Sequence, residues 1–154
     1  MKTKTIVAAA LGECVHVAGV MNFLRLAEAA GWRTVFLGPA TPVDEVVAAA
    51  RREGAELVGV SYRLTPETGA HLLGRFAEAA DELRAGGVRF AFAGTPPVAE
   101  LARGLGFFEQ VFDGTETAEQ ALAYLKGQPL ATLTEADYPQ SMAARALWKR
   151  PFPL

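Results

Sequence analysis

A histidine lies in a short glycine-flanked loop, two residues after the single cysteine of the chain. The two residues are His16 and Cys14, and their loop, residues 12–19, directly follows the apolar run 5–11. A continuous apolar run of this kind is typical of a strand that is covered on both faces. Open α/β sheets bind ligands beyond the carboxyl ends of their strands, so His16 is the first candidate for a ligand-binding residue.

Cys14 and His16 also allow interpretations without this kind of site. A lone histidine in such a loop more often caps a helix or packs in the core. A Cys-x-His pair can bind zinc, but structural zinc sites need four ligands and the sequence offers no second pair. Cys14 alone is more often an inert buried thiol than a nucleophile. The other histidine, His71, is expected at the surface.

Composition limits the class of protein. The chain has 154 residues, of which 51% are hydrophobic and 21% charged, and this balance favours one folded domain. No apolar run reaches the roughly 18 residues of a membrane-spanning helix, and no secretory signal is recognisable, so we expect a soluble cytoplasmic protein without a membrane partner. A net charge of −2 without a basic block argues against nucleic acid and favours a small-molecule ligand.

Five strands are predicted to alternate with five helices. Thr41 before Pro42 and Thr65 before Pro66 indicate an N-cap followed by a first-turn proline. Right-handed crossovers predict an α/β fold with a doubly wound, five-stranded parallel sheet in the flavodoxin-like order 2-1-3-4-5. The predicted strands are 5–11, 34–37, 57–61, 88–93 and 110–112, and the predicted helices are 19–30, 42–53, 66–85, 97–105 and 117–126.

This strand order brings three loops together at one edge of the sheet. They are residues 12–19 after the first strand, 61–64 after the third strand and 93–95 after the fourth strand. The direction of strand addition reverses between strands one and three, where doubly wound proteins bind their ligands. We therefore expect the ligand site at this edge.

The residues of these three loops resemble the cobalamin (vitamin B12)-binding domain family in type and order. That family reads Asp-x-His-x-x-Gly, then Ser-x-Leu, then Gly-Gly. The resemblance extends from residue 4 to about residue 127, so we expect a cobalamin-binding domain over 1–127. The matching positions here are, in order, Cys14, His16, Gly19, Ser61, Ala93 and Gly94.

The resemblance implies a cofactor and a role for each loop. In the family, the histidine replaces the lower axial ligand of the corrinoid cobalt, and the displaced dimethylbenzimidazole tail enters a deep slot beside the sheet. His16 would then be the metal ligand, Ser61 would bond the tail, and Ala91 would help to keep the slot narrow. The expected cofactor contacts are Gly12, Glu13, Cys14, Val15, His16, Val17, Gly19, Ser61, Tyr62, Leu64, Ala93, Gly94 and Thr95.

Three departures from the family pattern fall at this site. Cys14 replaces the aspartate that orients the ligating histidine, and loss of such a partner typically costs about 10–100-fold in metal affinity or activity. Glu13 is adjacent, but neighbouring residues on an extended loop usually point apart. Arg63 stands where the family has leucine, with Leu64 one place later, and Ala93 replaces the first glycine. We expect the His-on mode of binding to be weakened.

The absence of a helical bundle before the domain resembles the small subunits of adenosylcobalamin-dependent mutases. The resemblance implies a corrinoid-binding subunit, inactive alone, that presents adenosylcobalamin or methylcobalamin to the catalytic barrel subunit of a mutase or a methyltransferase. The alternatives are a non-enzymatic B12 sensor or carrier and a corrinoid-free interaction module whose slot is filled. Residues 128–154 are expected to form a C-terminal extension that docks on a partner subunit or on a second copy of the chain.

Overall fold

A parallel sheet of five strands forms the centre of the protein. The structure, a computed structural model, describes residues 3–128. The strand order is β2-β1-β3-β4-β5, and every neighbouring pair is parallel, which confirms the predicted fold class and order. The strands are β1 (Thr5–Ala10), β2 (Arg33–Phe36), β3 (Leu57–Tyr62), β4 (Arg89–Gly94) and β5 (Gln110–Phe112).

Helices cover both faces of the sheet. One face packs against the first and last helices of the described chain, and the other face packs against the second, third and fifth. Residues of adjacent positions on a strand point to opposite faces, so each strand contributes to two separate cores. The helices are α1 (Ala18–Ala29), α2 (Val43–Glu53), α3 (Pro66–Ala79), α4 (Asp81–Ala85), α5 (Pro96–Leu105) and α6 (Ala118–Leu125).

The single long helix predicted over 66–85 is wrong, because the structure divides it into α3 and α4. Ala80 separates them with φ −97° and ψ 1°. Its N–H donates to the carbonyl of Phe76 at 2.9 Å, and its carbonyl accepts from the N–H of Arg84 at 3.0 Å. Ala80 is also fully buried, so the apolar periodicity continues across the junction and the sequence pattern does not reveal the break.

The N-cap predicted at Thr41 is also wrong. The α2 helix begins at Val43 with Pro42 as its N-cap, and the Thr41 hydroxyl donates instead to the carbonyl of Gly38 at 3.1 Å. Thr41 forms a parallel bridge with Leu11, so its backbone prolongs the sheet rather than starting the helix. This bridge places residue 41 beside the loop that carries the candidate histidine.

Candidate functional site

A groove lies between α1 and the carboxyl-terminal half of the sheet, with a volume of about 130 Å³. Three residues paired across neighbouring strands, Ala8, Gly59 and Ala91, lie along it. In the next row toward the strand ends, Ser61 pairs with Ala93. These side chains have at most two heavy atoms, so they do not fill the space between α1 and the sheet as larger residues would.

Two aromatic rings bound the groove on the side of β5. Phe23 of α1 and Phe112 of β5 both line it, with their ring centroids 5.8 Å apart. The loop after β5 completes this wall through Gly114 and Glu116. The Glu116 carboxylate accepts the backbone N–H groups of Asp113 and Gly114 at 3.0 and 3.1 Å, so it is held by its own loop.

Asp113 stabilises the same loop from its other side. Its carboxylate accepts the Thr115 hydroxyl at 2.6 Å and a guanidinium N–H of Arg103 at 2.8 Å. These two hydrogen bonds hold the pKa of Asp113 far below its ordinary value, the Thr115 hydroxyl contributing most. The wall of the groove is therefore a loop with defined hydrogen bonds rather than one that depends on a ligand for its shape.

Ser61 places a polar atom without a partner inside this groove. The residue is only 3% exposed, and its Oγ has no hydrogen-bond partner in the structure. Leaving a buried hydroxyl unpaired costs about 1–3 kcal/mol, so such atoms in native proteins call for an explanation. A ligand that enters the groove with a hydrogen-bonding group would supply the missing partner.

His16 lies beyond the end of β1 and is exposed, whereas Cys14 is fully buried. The Cys14 Sγ lies 3.7 Å from the Nδ1 of His16. This contact occupies one ring nitrogen and leaves Nε2 free to bind a metal from solvent. Binding through Nε2 requires that Nδ1 carries the proton and donates it to sulfur, which is a weaker acceptor than a carboxylate. Thus Cys14 occupies the place of the expected acidic partner.

The histidine loop is fixed to the neighbouring chain by backbone hydrogen bonds. The N–H of Gly12 donates to the carbonyl of Thr41 at 2.9 Å, and the N–H of Ala40 donates to the carbonyl of Cys14 at 2.8 Å. Gly12 has φ +65°, and a Cβ there would lie 2.7 Å from Cδ2 of Leu72. A side chain at position 12 would therefore disturb the turn that leads to His16.

The structure divides the predicted site residues into a groove set and a loop set. Gly19, Ser61, Ala93 and Gly94 line the groove. The loop residues Gly12, Glu13, Cys14, Val15, His16 and Val17 lie outside it, as do Leu64 and Thr95. Among the described residues Glu13 forms no hydrogen bond with His16, so it does not replace the missing aspartate.

The prediction that Tyr62 contacts the cofactor is corrected by its burial. Tyr62 is 1% exposed and belongs to the core on the other face of the sheet. Its ring lies so close to α3 that a Cβ on Gly69 would be 3.1 Å from it. Position 62 follows Ser61 on β3, so the strand alternation that turns the serine into the groove turns the tyrosine away from it.

Sequence reasoning missed several residues that line the groove. Ala8 and Gly59 occupy strand interiors, and Val20 and Phe23 occupy the face of α1 that covers them. One signal was available for Gly59, because a glycine within a strand often marks a close approach of another chain segment or a ligand. The alanines gave no such signal, since an alanine-rich strand also fits a tightly packed helix.

Residues 3–128 contain neither a preformed metal cluster nor a helix suited to span a membrane. Among residues 3–128, no three His, Cys, Asp or Glu side chains form a group that could hold a metal ion. The described helices include none with the length and apolar character to cross a membrane.

Residues 4–123 match the family model described as the B12 binding domain. No curated protein matches the chain. A solved cobalamin-binding protein from Desulfitobacterium hafniense DCB-2 has a TM-score of 0.65 and 22% identity, covering 81% of this chain and 57% of that one. The methanol:cobalamin methyltransferase complex MtaBC from Methanosarcina barkeri has a TM-score of 0.61 and 22% identity, covering 97% of this chain and 54% of that one. The Methanosarcina barkeri monomethylamine corrinoid protein has a TM-score of 0.60 and 18% identity, covering 80% of this chain and 57% of that one.

At these identities the solved structures show a shared fold, and the chain spans little more than half the length of each. The family match covers residues 4–123, which are most of the described chain. It includes both the histidine loop and the groove with its unpaired serine. The chain therefore belongs to the family of B12-binding domains, and its cofactor is cobalamin.

Proposed function

We propose that this chain is a corrinoid-binding subunit that holds cobalamin with its dimethylbenzimidazole tail in the groove and with His16 on cobalt. The observation that carries the proposal is the unpaired Ser61 Oγ in a groove of small side chains. A nitrogen of the tail would complete the hydrogen bonding of Ser61, while the apolar part of the base would cover Ala91 and Gly59. Bound cobalamin would supply a cobalt centre that carries a transferable methyl or an adenosyl group.

Different residues of the chain orient the histidine, fix its loop and line the groove. The Cys14 sulfur orients the imidazole of His16 so that Nε2 is available, and the backbone bonds from Ala40 and to Thr41 fix the loop. Phe23 and Phe112 exclude water from the side of the groove. In this proposal the protein contributes an axial ligand and a mostly apolar slot.

We further propose that the chain presents the cofactor to a partner catalytic subunit of a methyltransferase or a mutase. The exposed residues after β1 and β3 support this. His16 is exposed, and so are the apolar Val15 (62% exposed) and Leu64 (37% exposed). Exposed apolar residues beside a reactive centre suit the surface of a partner. One of the similar solved structures is a methyltransferase complex. The prediction that residues 128–154 form a docking extension concerns residues that, apart from residue 128, lie outside the described part.

A B12 sensor or carrier is the second candidate function. In this version the benzimidazole stays on cobalt and His16 does not bind it. The observation in its favour is the sulfur partner of His16, which supports the ligand less well than a carboxylate would. The open groove is the observation against it, because a tail that stays on cobalt would not fill that space. A corrinoid-free module would need bulky residues on the floor of the groove, where the structure has Ala8, Gly59 and Ala91.

Spectroscopy of the loaded protein tests these proposals. The wild type should bind methylcobalamin and adenosylcobalamin at micromolar concentration. After reduction to cobalt(II), its paramagnetic resonance signal should change its nitrogen splitting when the protein carries 15N-histidine. His16→Ala should lose this response. Cys14→Asp should strengthen the His-on form about 10–100-fold relative to Cys14→Ala, because a carboxylate is restored beside Nδ1.

Each contrary result has its own meaning. Failure of the wild type to bind either form of cobalamin would refute the proposal as a whole. Binding without any response to histidine labelling would refute axial ligation by His16 and support the sensor or carrier. An activity assay with a separately expressed catalytic subunit would then address presentation to a partner.

A further inference from the structure

Arg63 is the cation at the mouth of the groove. It follows the last residue of β3, lines the groove with Ser61, and is exposed. Among residues 3–128 its guanidinium has no hydrogen bond or ion pair, whereas Arg89 and Arg103 each bind a carboxylate within 3.0 Å. An unpaired arginine beside an apolar groove is free to bind an anionic part of a ligand.

The amino-terminal end of α1 adds a second source of positive potential at the same groove. Its N-cap is Val17, which makes no side-chain capping bond, and no acidic residue lies in its first turn. The first N–H groups of this 12-residue helix are therefore uncapped by side chains, and Gly19 in that turn lines the groove. Gly19 has no side chain, and a Cβ built there would meet nothing within 4 Å, so the space beside this turn is open.

Ser61 supplies an independent sign that a ligand belongs here. The residue is only 3% exposed, and its buried hydroxyl has no partner in the structure. The one carboxylate that lines the groove within residues 3–128, Glu116, accepts the N–H groups of Asp113 and Gly114, so it already has partners. The groove thus combines an apolar interior with three unused donors: a guanidinium, a helix end and a hydroxyl.

We propose that Arg63 binds the phosphodiester in the nucleotide arm of cobalamin and so makes the chain selective for corrinoids with a complete arm. This inference rests on the proposed function, because it requires the base of that arm to lie in the groove. The phosphodiester is the anionic link between the corrin ring and the base. With the base inside and the ring at the rim, the link must pass the groove mouth, where Arg63 and the end of α1 lie.

The test compares methylcobalamin with methylcobinamide, which lacks the phosphodiester, the ribose and the base. Dissociation constants are measured by absorbance titration for the wild type, Arg63→Gln, Arg63→Lys and the control Arg75→Gln. Arg75 is an exposed arginine on α3, which covers the other face of the sheet, so its variant removes the same charge away from the groove. Circular dichroism checks that every variant is folded.

We expect Arg63→Gln to weaken methylcobalamin binding about tenfold, the order expected for loss of one hydrogen bond to a charged group. Its affinity for methylcobinamide should stay unchanged, and Arg63→Lys should retain most of the affinity for methylcobalamin. Raising the salt concentration should weaken cobalamin binding to the wild type more than to Arg63→Gln. Arg75→Gln should behave as the wild type with both ligands.

Two results would overturn the role of Arg63 while leaving cobalamin binding intact. Equal losses for both corrinoids would place Arg63 on the corrin ring, and no loss for either would leave it as a solvated side chain. A wild type that binds neither corrinoid would instead refute the proposed function, and this inference with it.

Discussion

The two faces of the central sheet are filled in opposite ways. On the face covered by α2, α3 and α5, large rings interlock: Phe76 lies 5.8 Å from Phe90 and 6.0 Å from Phe107, each near a right angle. On the face covered by α1 and α6, Gly59 and Ala91 leave a groove. Neighbouring residues of a single strand take part in both arrangements, so the difference arises from side-chain size at alternate positions and not from the backbone.

This contrast separates stability from ligand binding within one sheet. The aromatic face loses contacts if any ring is shortened, because its interior is close-packed. The groove face gives up part of that packing and keeps a hydroxyl without a partner at Ser61. We therefore expect substitutions on the first face to change the free energy of unfolding, and substitutions on the second face to change cofactor affinity.

The largest effect is expected on the aromatic face. Phe76→Ala removes a fully buried ring that contacts Phe90, Phe107 and Phe108. The free energy of unfolding should fall by about 3–5 kcal/mol, as for other buried phenylalanines. Urea denaturation followed by circular dichroism measures it. A fall below about 1 kcal/mol would contradict the description of this face as the tightly packed one.

A matched pair of glycines tests the contrast, because a Cβ on Gly94 would point with Phe92 toward the aromatic face and a Cβ on Gly59 would point into the groove. A Cβ on Gly94 would lie 2.7 Å from the carbonyl oxygen of Tyr62 and 2.8 Å from the ring of Phe92, whereas a Cβ on Gly59 has its nearest neighbour, the Cβ of Ala8, at 3.9 Å. Gly94→Ala should therefore lower the free energy of unfolding by about 1–3 kcal/mol. Gly59→Val should leave it unchanged or raise it, since valine favours strands.

Cofactor affinity should fall with Gly59→Val although the free energy of unfolding does not. The branched side chain of Gly59→Val enters the space proposed for the benzimidazole, so methylcobalamin binding should weaken by about 10–100-fold, equivalent to about 1.4–2.8 kcal/mol. Absorbance titration measures this at a temperature where all variants are folded. If Gly59→Val bound methylcobalamin as the wild type does, the groove would not be the place of the tail.

Most of the fold could be predicted from the sequence, because buried parallel strands and amphipathic helices have distinct apolar patterns. The bounds of β5, 110–112, agree with the prediction, and the strand order is confirmed. The break at Ala80 was missed because the apolar pattern continues through it. Thr41 was misplaced because an N-cap and a short bridge to Leu11 look alike in sequence when a proline follows.

The candidate site was predicted less completely, because spacing along the chain does not reveal which face a side chain occupies. Ser61 and Tyr62 are adjacent in sequence, yet only the serine enters the groove. The contact between Cys14 and His16 was not predicted as a stabilising one, since only the fold shows that the buried sulfur lies 3.7 Å from Nδ1. Phe112 was missed because its position depends on the register between β4 and β5.

The smallest expected effect is the most direct test of the contrast, because it concerns two buried hydroxyls in different settings. Thr5 is 6% exposed, and its Oγ1 accepts the Nε–H of Arg33 at 3.1 Å, whereas the Ser61 Oγ has no partner. Thr5→Val should lower the free energy of unfolding by about 0.5–1.5 kcal/mol. Ser61→Ala should leave it unchanged or raise it by up to about 1 kcal/mol, because an unpaired hydroxyl is removed.

Ser61→Ala and Thr5→Val should also differ in their effect on methylcobalamin affinity. Ser61→Ala should weaken it about two- to tenfold, corresponding to one hydrogen bond of about 0.5–1.5 kcal/mol, whereas Thr5→Val should not change it. A destabilisation by Ser61→Ala equal to that of Thr5→Val would mean that the hydroxyl already has a partner within the protein. The groove would then be an unfilled part of the core, and the two faces of the sheet would differ in packing alone.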